Sequence, residues 1–220
     1  MSNKVNLVIF DLDGTISKRD TFKEILILGL IFRPHRILLI PLSVFDFMLY
    51  LIGIYTNSLV KERLLGRVFG GLSEKKIDVI VTRYKAFFDK KNVHAEALKA
   101  IKNHQENNDF VILITASFDF YVNIIVSDIG FDKVICTRAE TKEGRLTGLI
   151  DGQNCYSRRK VEELRDQFNL SDYSSIVCYT DHHSDLPLIN ECDFSYLVNP
   201  TEKLIAILKE MDQFKVIKWN

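Results

Sequence analysis

Two acidic residues, one position apart, follow the first apolar run of the chain. Asp11 and Asp13 flank Leu12 directly after the run Val5–Phe10. Side chains alternate along an extended segment, so both carboxylates point toward the crevice beyond the strand ends, where open α/β sheets hold ligands. Paired carboxylates favour an oxygen-coordinated cation, and Mg²⁺ is the natural candidate. The alternative interpretation is an Asp-Gly turn with a helix cap.

Three later segments carry polar groups suited to phosphate. Thr115 ends an apolar run before a predicted helix, where backbone N–H groups would face an anion. The other interpretation there is that Ser117 caps that helix. Lys160, near the start of another helix, is either a phosphate ligand or a solvated lysine, and Asp181 and Asp185 follow a further apolar run. The order acid, acid, hydroxyl, cation and acid favours a site for phosphate and metal.

A parallel sheet covered by helices on both faces would bring these residues together. Apolar runs typical of buried strands occur at Val5–Phe10, Phe110–Thr115, Lys133–Thr137, Ser175–Thr180 and Phe194–Val198. Helical patterns alternate with them at His94–Glu106, Phe118–Ile129, Arg158–Phe168 and Thr201–Met211. This alternation predicts an α/β fold with a Rossmann-like parallel sheet. We also expect a hairpin at Glu143-Gly144-Arg145, between Val134–Thr141 and Leu146–Ile150, appended to that sheet.

One long interval breaks the alternation. The pattern of residues 17–92 predicts several helices, so we expect a helical cap inserted into a core formed by residues 1–16 and 93–220. Within the insert, Phe22–Phe32 and Ile37–Ile54 are unusually apolar, and a basic break from Arg33 to Arg36 separates them. A two-pass membrane hairpin is disfavoured by Pro41 and Asp46. A buried cap core, or a hairpin that dips into the lipid interface with Arg33 and Arg36 at the headgroups, is preferred, and both stay open.

Composition excludes several classes of protein. The 220 residues include 29 Lys+Arg and 29 Asp+Glu, so no summed basic field favours nucleic acid. The chain is 47% hydrophobic and 26% charged, as in a folded globular protein and unlike a disordered one. The four cysteines are widely spaced, which favours free thiols in a reducing compartment. Asp11 and Asp13 end the first apolar stretch before it reaches the length of a signal-peptide core, so a cytoplasmic protein is expected. Location at the cytoplasmic face of the membrane is the alternative.

The chain resembles the haloacid dehalogenase superfamily of aspartate-nucleophile phosphatases. The resemblance rests on four segments in order: VIFDLDGT, Thr115 in LITAS, Lys160 in GQNCYSRRK, and YTDHHSDLPLI. It covers the whole chain apart from the insert. The stretch GQNCYSRRKVEEL and the helical insert, a cap of the C1 type, are similar to the branch that contains phosphoserine phosphatase. The apolar insert after DTFKEIL is similar to the phosphatidylglycerophosphatase C type, whose members carry a hydrophobic segment in this place.

The resemblance implies a two-step reaction. Asp11 would attack phosphorus and become an aspartyl phosphate, which water then hydrolyses. Asp13 would protonate the leaving alkoxide and then deprotonate the water, and its backbone carbonyl would help to hold Mg²⁺. The presence of Asp13 favours a phosphatase over a dehalogenase, since the dehalogenase branch lacks this second acid.

The same resemblance implies roles for the later segments. The metal would sit between Asp11 and Asp181, with Asp185 as a nearby acid. Thr115 and Lys160 would bind the transferring phosphoryl oxygens. The last segment departs from the family pattern, because Ser184 stands where relatives commonly carry Asn, and His182-His183 replaces small residues. Ser184 can still hydrogen-bond, so we expect activity, and we interpret the histidine pair as loop polarity near the site mouth, with catalysis as the alternative.

These inferences lead to a Mg²⁺-dependent phosphomonoesterase whose substrate is selected by the insert. The apolar insert favours a lipid phosphate such as phosphatidylglycerol phosphate, with peripheral membrane contact through the cap. The alternative is a phosphatase of a small soluble metabolite similar to phosphoserine. Phosphotransfer to an acceptor other than water stays open. A hypothesis of another class is an inactive, membrane-associated binding protein on the same fold.

Overall fold

The fold is built on one parallel sheet of six strands. The computed structural model describes residues 5–209 and 212–220. The sheet has the spatial order β3-β2-β1-β6-β7-β8, and every neighbouring pair is parallel. Its strands are β1 (Leu7–Phe10), β2 (Phe110–Phe118), β3 (Lys133–Thr137), β6 (Ile176–Thr180), β7 (Phe194–Val198) and β8 (Phe214–Ile217). The α/β fold expected from the sequence is therefore confirmed.

Strand β1 is buried on both faces because it lies in the middle of the sheet. All four of its residues are fully buried. Val8 and Phe10 pack into the hydrophobic cluster on one face, and Leu7 and Ile9 pack into the cluster on the other. A strand covered on both faces has a continuous apolar sequence, which is why this run was recognisable as a strand.

The strand order reverses beside β1. The chain runs outward through β2 and β3 on one side, and then returns to β6 and continues outward on the other side. In open parallel sheets, ligands bind beyond the carboxyl ends of the strands where the order reverses. The segments that follow β1 and β6, which begin with Asp11 and Asp181, meet at this point.

The helices outside the insert differ from their predicted bounds mainly at their ends. They are α5 (Ala95–Glu106), α6 (Asp119–Ile125), α7 (Arg158–Gln167), α8 (Leu186–Ile189) and α9 (Glu202–Leu208). The predicted helix Phe118–Ile129 starts too early, because β2 continues to Phe118, and it ends too late. The predicted helix Thr201–Met211 ends at Leu208, and its last two positions lie outside the described residues.

The interval between β1 and α5 contains helices and no strand of the six-stranded sheet among its described residues. These helices are α1 (Thr21–Phe32), a 3₁₀ segment (Pro34–Leu39), α2 (Ile40–Leu51), α3 (Asn57–Phe69) and α4 (Glu74–Phe87), followed by a π-helical turn (Phe88–Asn92). Their helical character agrees with the expected insert. The division into a core of 1–16 and 93–220 and a cap of 17–92 stays a prediction.

The predicted hairpin forms, but it is not part of the main sheet. Strands β4 (Ala139–Lys142) and β5 (Arg145–Ile150) make a separate two-stranded antiparallel sheet, so the expected strand Val134–Thr141 is in fact two strands. The hairpin packs on α3, where Gly148 lies against Gly66 so closely that a Cβ at Gly148 would overlap the helix backbone. The expectation of a hairpin appended to the main sheet is therefore wrong, because the hairpin packs against a helix of the insert instead.

Candidate active site

A cleft of about 410 Å³ opens at the carboxyl edge of the sheet. It is lined by the six residues expected to form the site: Asp11, Asp13, Thr115, Lys160, Asp181 and Asp185. Residues of the insert, including Phe22, Asn57 and Lys61, line the same cleft. Four segments separated by up to about 170 positions in sequence therefore contribute to one site.

Lys160 joins two of the carboxylates at the base of the cleft. Its Nζ donates hydrogen bonds to Asp11 Oδ1 at 2.6 Å and to Asp185 Oδ2 at 2.9 Å. Asp185 Oδ2 also accepts a 2.7 Å hydrogen bond from the hydroxyl of Thr180, the last residue of β6. Burial alone disfavours the ammonium of Lys160, but the carboxylates of Asp11 and Asp185 outweigh it and raise the Lys160 pKa. Lys160 is therefore a fixed cation and not a solvated surface lysine.

The Asp13 carboxylate is held by hydrogen bonds from the start of the insert and from β2. Its Oδ1 accepts from the backbone N–H of Thr21, the first residue of α1, and its Oδ2 accepts from the hydroxyl of Ser117, both at 2.6 Å. Burial, followed by the nearby charge of Asp20, raises the pKa of Asp13, although these hydrogen bonds oppose the shift. A carboxyl group with a raised pKa is suited to carry and release a proton. Ser117 does not cap α6, because its hydroxyl is directed to Asp13 instead.

The environment of Asp181 fits a metal ion. Its Oδ1 is buried and has no hydrogen-bond partner, and Gly14 leaves the space beside its carboxylate, because a Cβ at Gly14 would overlap Oδ2. Gly14 has a φ of +81°, a conformation that favours glycine. Within residues 5–209 and 212–220, no three His, Cys, Asp or Glu side chains form a metal cluster. An ion here would need two carboxylates, a backbone carbonyl and non-protein oxygens, a set typical of Mg²⁺.

The carboxylates facing this space are more basic than usual. Burial is the main cause of a rise in the pKa of Asp11 to about 7, with Lys160 opposing it and Asp185 adding to it. Burial also raises the pKa of Asp181 to about 8, and the nearby charges of Asp11 and Asp185 contribute to the rise. At the base of the cleft, Asp11, Asp181 and Asp185 surround one buried ammonium, that of Lys160, and ionisation of all three carboxyl groups is therefore disfavoured until a cation binds.

Thr115 lies inside β2 and not at the strand end that the sequence suggested. The pairing of β2 with β3 is irregular between Ile114 and Phe118, and Thr115 and Ser117 both line the cleft from this irregular stretch. The Thr115 Oγ1 accepts a 3.0 Å hydrogen bond from the backbone N–H of Ser117. This bond leaves the Thr115 hydroxyl proton available for a ligand oxygen.

Lys61 is a residue of the cleft that the sequence did not single out. It lies on α3, and its Nζ donates to the carbonyl of Ala116 at 2.6 Å and lies 5.8 Å and 5.6 Å from the ring centres of Phe22 and Phe118. Burial lowers its pKa to about 8, against the opposing charges of Asp13 and Asp20. A polar pair one helical turn apart, Asn57 and Lys61, was the sequence signal for this position.

The mouth of the cleft is basic. Lys18, Arg19 and Lys23 are exposed and line it, so an anionic substrate would meet positive charge before the buried acids. His182 and Ser184 also line the cleft and hydrogen-bond each other, with His182 Nδ1 and Ser184 Oγ 2.9 Å apart. The ring of His183 lies 4.0 Å from that of His182, and its Nε2 is 3.1 Å from the Nζ of Lys203.

Known proteins are similar to this chain in sequence. The model of the haloacid dehalogenase-like hydrolases matches residues 8–190. Protein CicA of Caulobacter vibrioides is 25% identical over 199 residues, which cover 88% of this chain and 86% of CicA. A histidinol-phosphatase of Neisseria meningitidis serogroup C is 27% identical over 116 residues, which cover 50% of this chain and 52% of that enzyme.

Solved structures share the fold. A Bordetella pertussis protein described as having unknown function has a TM-score of 0.88 and 23% identity, covering 98% of this chain and 99% of that one. A substrate-bound phosphoserine phosphatase complex has a TM-score of 0.66 and 19% identity, covering 97% of this chain and 93% of that one. The chain therefore belongs to the haloacid dehalogenase-like hydrolase family, and it shares the fold of the phosphoserine phosphatase structures.

Proposed function

We propose that this hydrolase is a phosphatase that acts on phosphomonoesters in a Mg²⁺-dependent reaction, with Asp11 as the nucleophile. The single observation that carries the proposal is the convergence of Asp11, Lys160 and Asp185 beside an unpartnered oxygen of Asp181. A buried carboxylate fixed by one ammonium has a defined orientation for attack. Since Asp11, Asp13, Lys160 and Asp181 are all in the cleft, the alternative of an inactive binding protein has little support.

In the first step, Asp11 forms a bond to phosphorus while the bond from phosphorus to the leaving oxygen breaks. Asp13 gives its proton to that oxygen, so the product leaves as an alcohol. In the second step, Asp13 takes a proton from water, the water oxygen bonds to phosphorus, and the bond to Asp11 breaks. Inorganic phosphate leaves and both carboxyl groups return to their initial states.

Lys160 and Thr115 support this sequence without changing covalently. Lys160 binds a phosphoryl oxygen and keeps Asp11 in place, and Thr115 donates its hydroxyl to a second oxygen. The side chains of Asp11 and Asp181 and the carbonyl of Asp13 would hold Mg²⁺. When bound, the ion reduces the repulsion between the anionic nucleophile and the anionic substrate.

The substrate class follows from the insert. Phe22 is an apolar residue that lines the cleft from the insert, and helix α2 of the same insert exposes apolar side chains. We therefore favour a lipid phosphate, such as phosphatidylglycerol phosphate, over a soluble metabolite. A small soluble phosphate, similar to phosphoserine, is the second candidate, because the basic mouth and the buried Lys61 suit a compact substrate with a second anionic group.

Hydrolysis assays test the proposal at two levels. We expect release of phosphate from an aryl phosphate with Mg²⁺, loss of release on chelation, and recovery when Mg²⁺ is restored. Asp181→Asn should raise the Mg²⁺ concentration for half-maximal activity by about 10- to 100-fold. Activity that is unchanged by chelation would contradict the metal assignment.

A substrate panel then separates the two candidates and tests the acceptor. Phosphatidylglycerol phosphate in mixed micelles should be hydrolysed with a higher kcat/KM than phosphoserine or histidinol phosphate. Uniformly poor turnover of lipid phosphates beside good turnover of one soluble ester would favour the second candidate. Formation of a new phosphoester when an alcohol is added would reveal phosphotransfer in place of simple hydrolysis.

A further inference from the structure

Helix α2 buries a charged side chain and exposes apolar ones, which is the reverse of a surface helix in a typical soluble protein. Its buried residue is the acidic Asp46, at 3% exposure, whereas its apolar side chains face outward. Large exposed apolar residues on α2 and its flanking segments are Ile37, Leu38, Ile40, Leu42, Val44, Phe45, Phe47, Met48, Leu51, Ile52 and Ile54. We call this set the α2 face. Apolar patches of this extent are typical of binding surfaces.

Ion pairs beneath the helix hold the charged side of α2 toward the protein. Asp46 Oδ2 lies 2.5 Å from Arg67 Nη2, and Asp46 Oδ1 lies 3.7 Å from Arg63 Nη1. Arg67 Nη1 also donates to the hydroxyl of Ser43 on α2 at 3.1 Å. Both arginines lie on α3, so α3 holds the polar side of α2 and leaves the apolar side uncovered.

We propose that the α2 face docks on the surface of an anionic lipid bilayer, with α2 parallel to the membrane plane. Between Arg33 and Thr56 the charged residues are Arg33, Arg36 and Asp46. Arg63 also has a substantially exposed side chain, whereas Arg67 is largely buried against Asp46. Arg33, Arg36 and Arg63 therefore give the surroundings of the α2 face a positive excess that complements anionic headgroups. The combination of an apolar face, aromatic residues and basic margins is typical of interfacial helices.

Insertion across the bilayer does not fit these contacts. Among the described residues, Pro34–Leu51 is the one helical stretch long and apolar enough to cross a membrane. Its regular α-helical part, α2, has 12 residues, which span about 18 Å, compared with about 30 Å for the hydrocarbon layer. Spanning would also pull Asp46 away from Arg63 and Arg67 into lipid, at a high energetic cost.

A second copy of the chain is a weaker occupant. In a two-fold dimer formed by the α2 face, the same surface of both copies takes part in the interface. The basic margins of the face would then lie near the same basic margins of the partner, which opposes association. An anionic lipid surface meets the same charges favourably.

Docking in this orientation would serve the proposed function, on which this part of the inference rests. Lys61, in the cleft, and Arg63 and Arg67, under α2, lie on the same helix α3. Helix α3 therefore connects the cleft with α2, so that a docked α2 face would bring the cleft to the membrane, where a lipid headgroup could enter it while its acyl chains stay in the bilayer.

Vesicle flotation of the full chain tests the docking. The probe is a phosphatidylcholine vesicle, with and without 30 mol% phosphatidylglycerol as the anionic lipid. The variant F45Q/M48Q/I52Q changes three residues on one side of α2, and V79Q/I205Q/I207Q changes three similarly exposed apolar residues elsewhere. Circular dichroism without vesicles verifies that each variant is folded.

We expect the wild type to float with anionic vesicles, and F45Q/M48Q/I52Q to bind them at least about tenfold more weakly. The control variant should bind like the wild type, and Arg36→Gln should weaken binding about fivefold. Carbonate extraction at high pH should release the protein. Absence of flotation, equal flotation of the two triple variants, or retention after carbonate would overturn the proposal, as would a dimer that F45Q/M48Q/I52Q dissociates.

Binding is measured without turnover, so its outcome is independent of the proposed activity. If the protein floats but hydrolyses no phosphomonoester, the docking surface stands and the proposed function fails. If it hydrolyses an aryl phosphate but does not float, the reverse holds.

Discussion

Two clusters of charged side chains in this protein have net charges of opposite sign. In the cleft, Asp11 and Asp185 share Lys160, and Asp181 beside them keeps an oxygen without a partner. Beneath α2, the carboxylate of Asp46 lies between Arg63 and Arg67. The first cluster has an excess of negative charge and the second an excess of positive charge.

The difference distinguishes a reactive site from a structural one. A buried excess of carboxylates is unfavourable until a cation enters, and the raised pKa values of Asp11 and Asp181 reflect this. The cleft is thus prepared for a metal ion and a substrate. The Asp46 cluster needs no further ion, because its carboxylate is already neutralised and its arginines reach solvent. Its effect is to orient one helix.

The sharpest test of this distinction exchanges one carboxylate for an amide in each cluster. Asp11→Asn should lower kcat by at least about 10³-fold, because an amide does not attack phosphorus as a carboxylate does. Asp46→Asn should leave the kcat for an aryl phosphate within about threefold of wild type. Steady-state kinetics on both variants, with circular dichroism to verify folding, provide the measurement. Similar losses of kcat in the two variants would break the comparison.

Gly14→Ala tests whether the space beside Asp181 is required. The new Cβ would overlap the Asp181 carboxylate, so we expect a loss of about 10²-fold in kcat/KM at limiting Mg²⁺. Gly71→Ala is the matched control, since Gly71 has a similar φ of +78° but nothing within 4 Å of its added Cβ. Both variants should lose about 1–2 kcal/mol of stability from backbone strain. Equal activity in the two variants would show that the space beside Asp181 is not required.

Asp46→Asn should also have a cost in stability. We expect the free energy of unfolding in urea to fall by about 1–3 kcal/mol, because Arg67 loses its charged partner but can still approach water. The control is Asp78→Asn, an exposed position on α4 that should change stability by less than about 0.5 kcal/mol. If the two variants unfold at the same urea concentration, the ion pairs do not hold α2.

The smallest expected effect concerns Lys61 and pH. The Lys61 pKa is lowered to about 8, so its ammonium is mostly present at pH 7 and is lost as the pH rises toward 9. The loss of this positive charge should raise the KM for an anionic ester about tenfold over that range. Lys61→Met has no ammonium at this position, so its KM should already be raised at pH 7 and should rise little further between pH 7 and 9. A KM for the wild type that does not vary from pH 7 to 9 would contradict a role for Lys61 in substrate binding.

The sequence was informative where a strand is buried on both faces. The runs that became β1, β6 and β7 were recognised within one or two residues, because a continuous apolar stretch is a local signal. Strand β3 lies at one edge of the sheet and was still recognised, because Val134, Ile135 and Cys136 form such a stretch. Strand β8 (Phe214–Ile217), at the other edge, was missed, since Phe214 and Ile217 are half-buried and the two residues between them, one of them Lys215, are exposed. Its pairing with β7 is a contact between distant segments that no local pattern reveals.

The candidate site was predictable to a similar extent. Asp11, Asp13, Thr115, Lys160, Asp181 and Asp185 were selected by residue type and order, and all of them line one cleft. Their partners were not predictable: Ser117 binds Asp13 instead of capping a helix, and Asp185 binds Lys160 and Thr180. Hydrogen-bond partners depend on distances between segments that the sequence leaves undefined.

The amino-acid sequence by itself determined the chemical groups available to this protein and the parallel sheet that presents them, because both follow from residue type and local apolar pattern. Only the tertiary structure decided which charges are paired. Lys61 enters the cleft and Asp46 turns inward because α3 packs against the hairpin on one side and against α2 on another. Burial and charge balance are properties of contacts between segments distant in sequence, and they decide which carboxylates lie beside Lys160 in the cleft and which one lies between arginines.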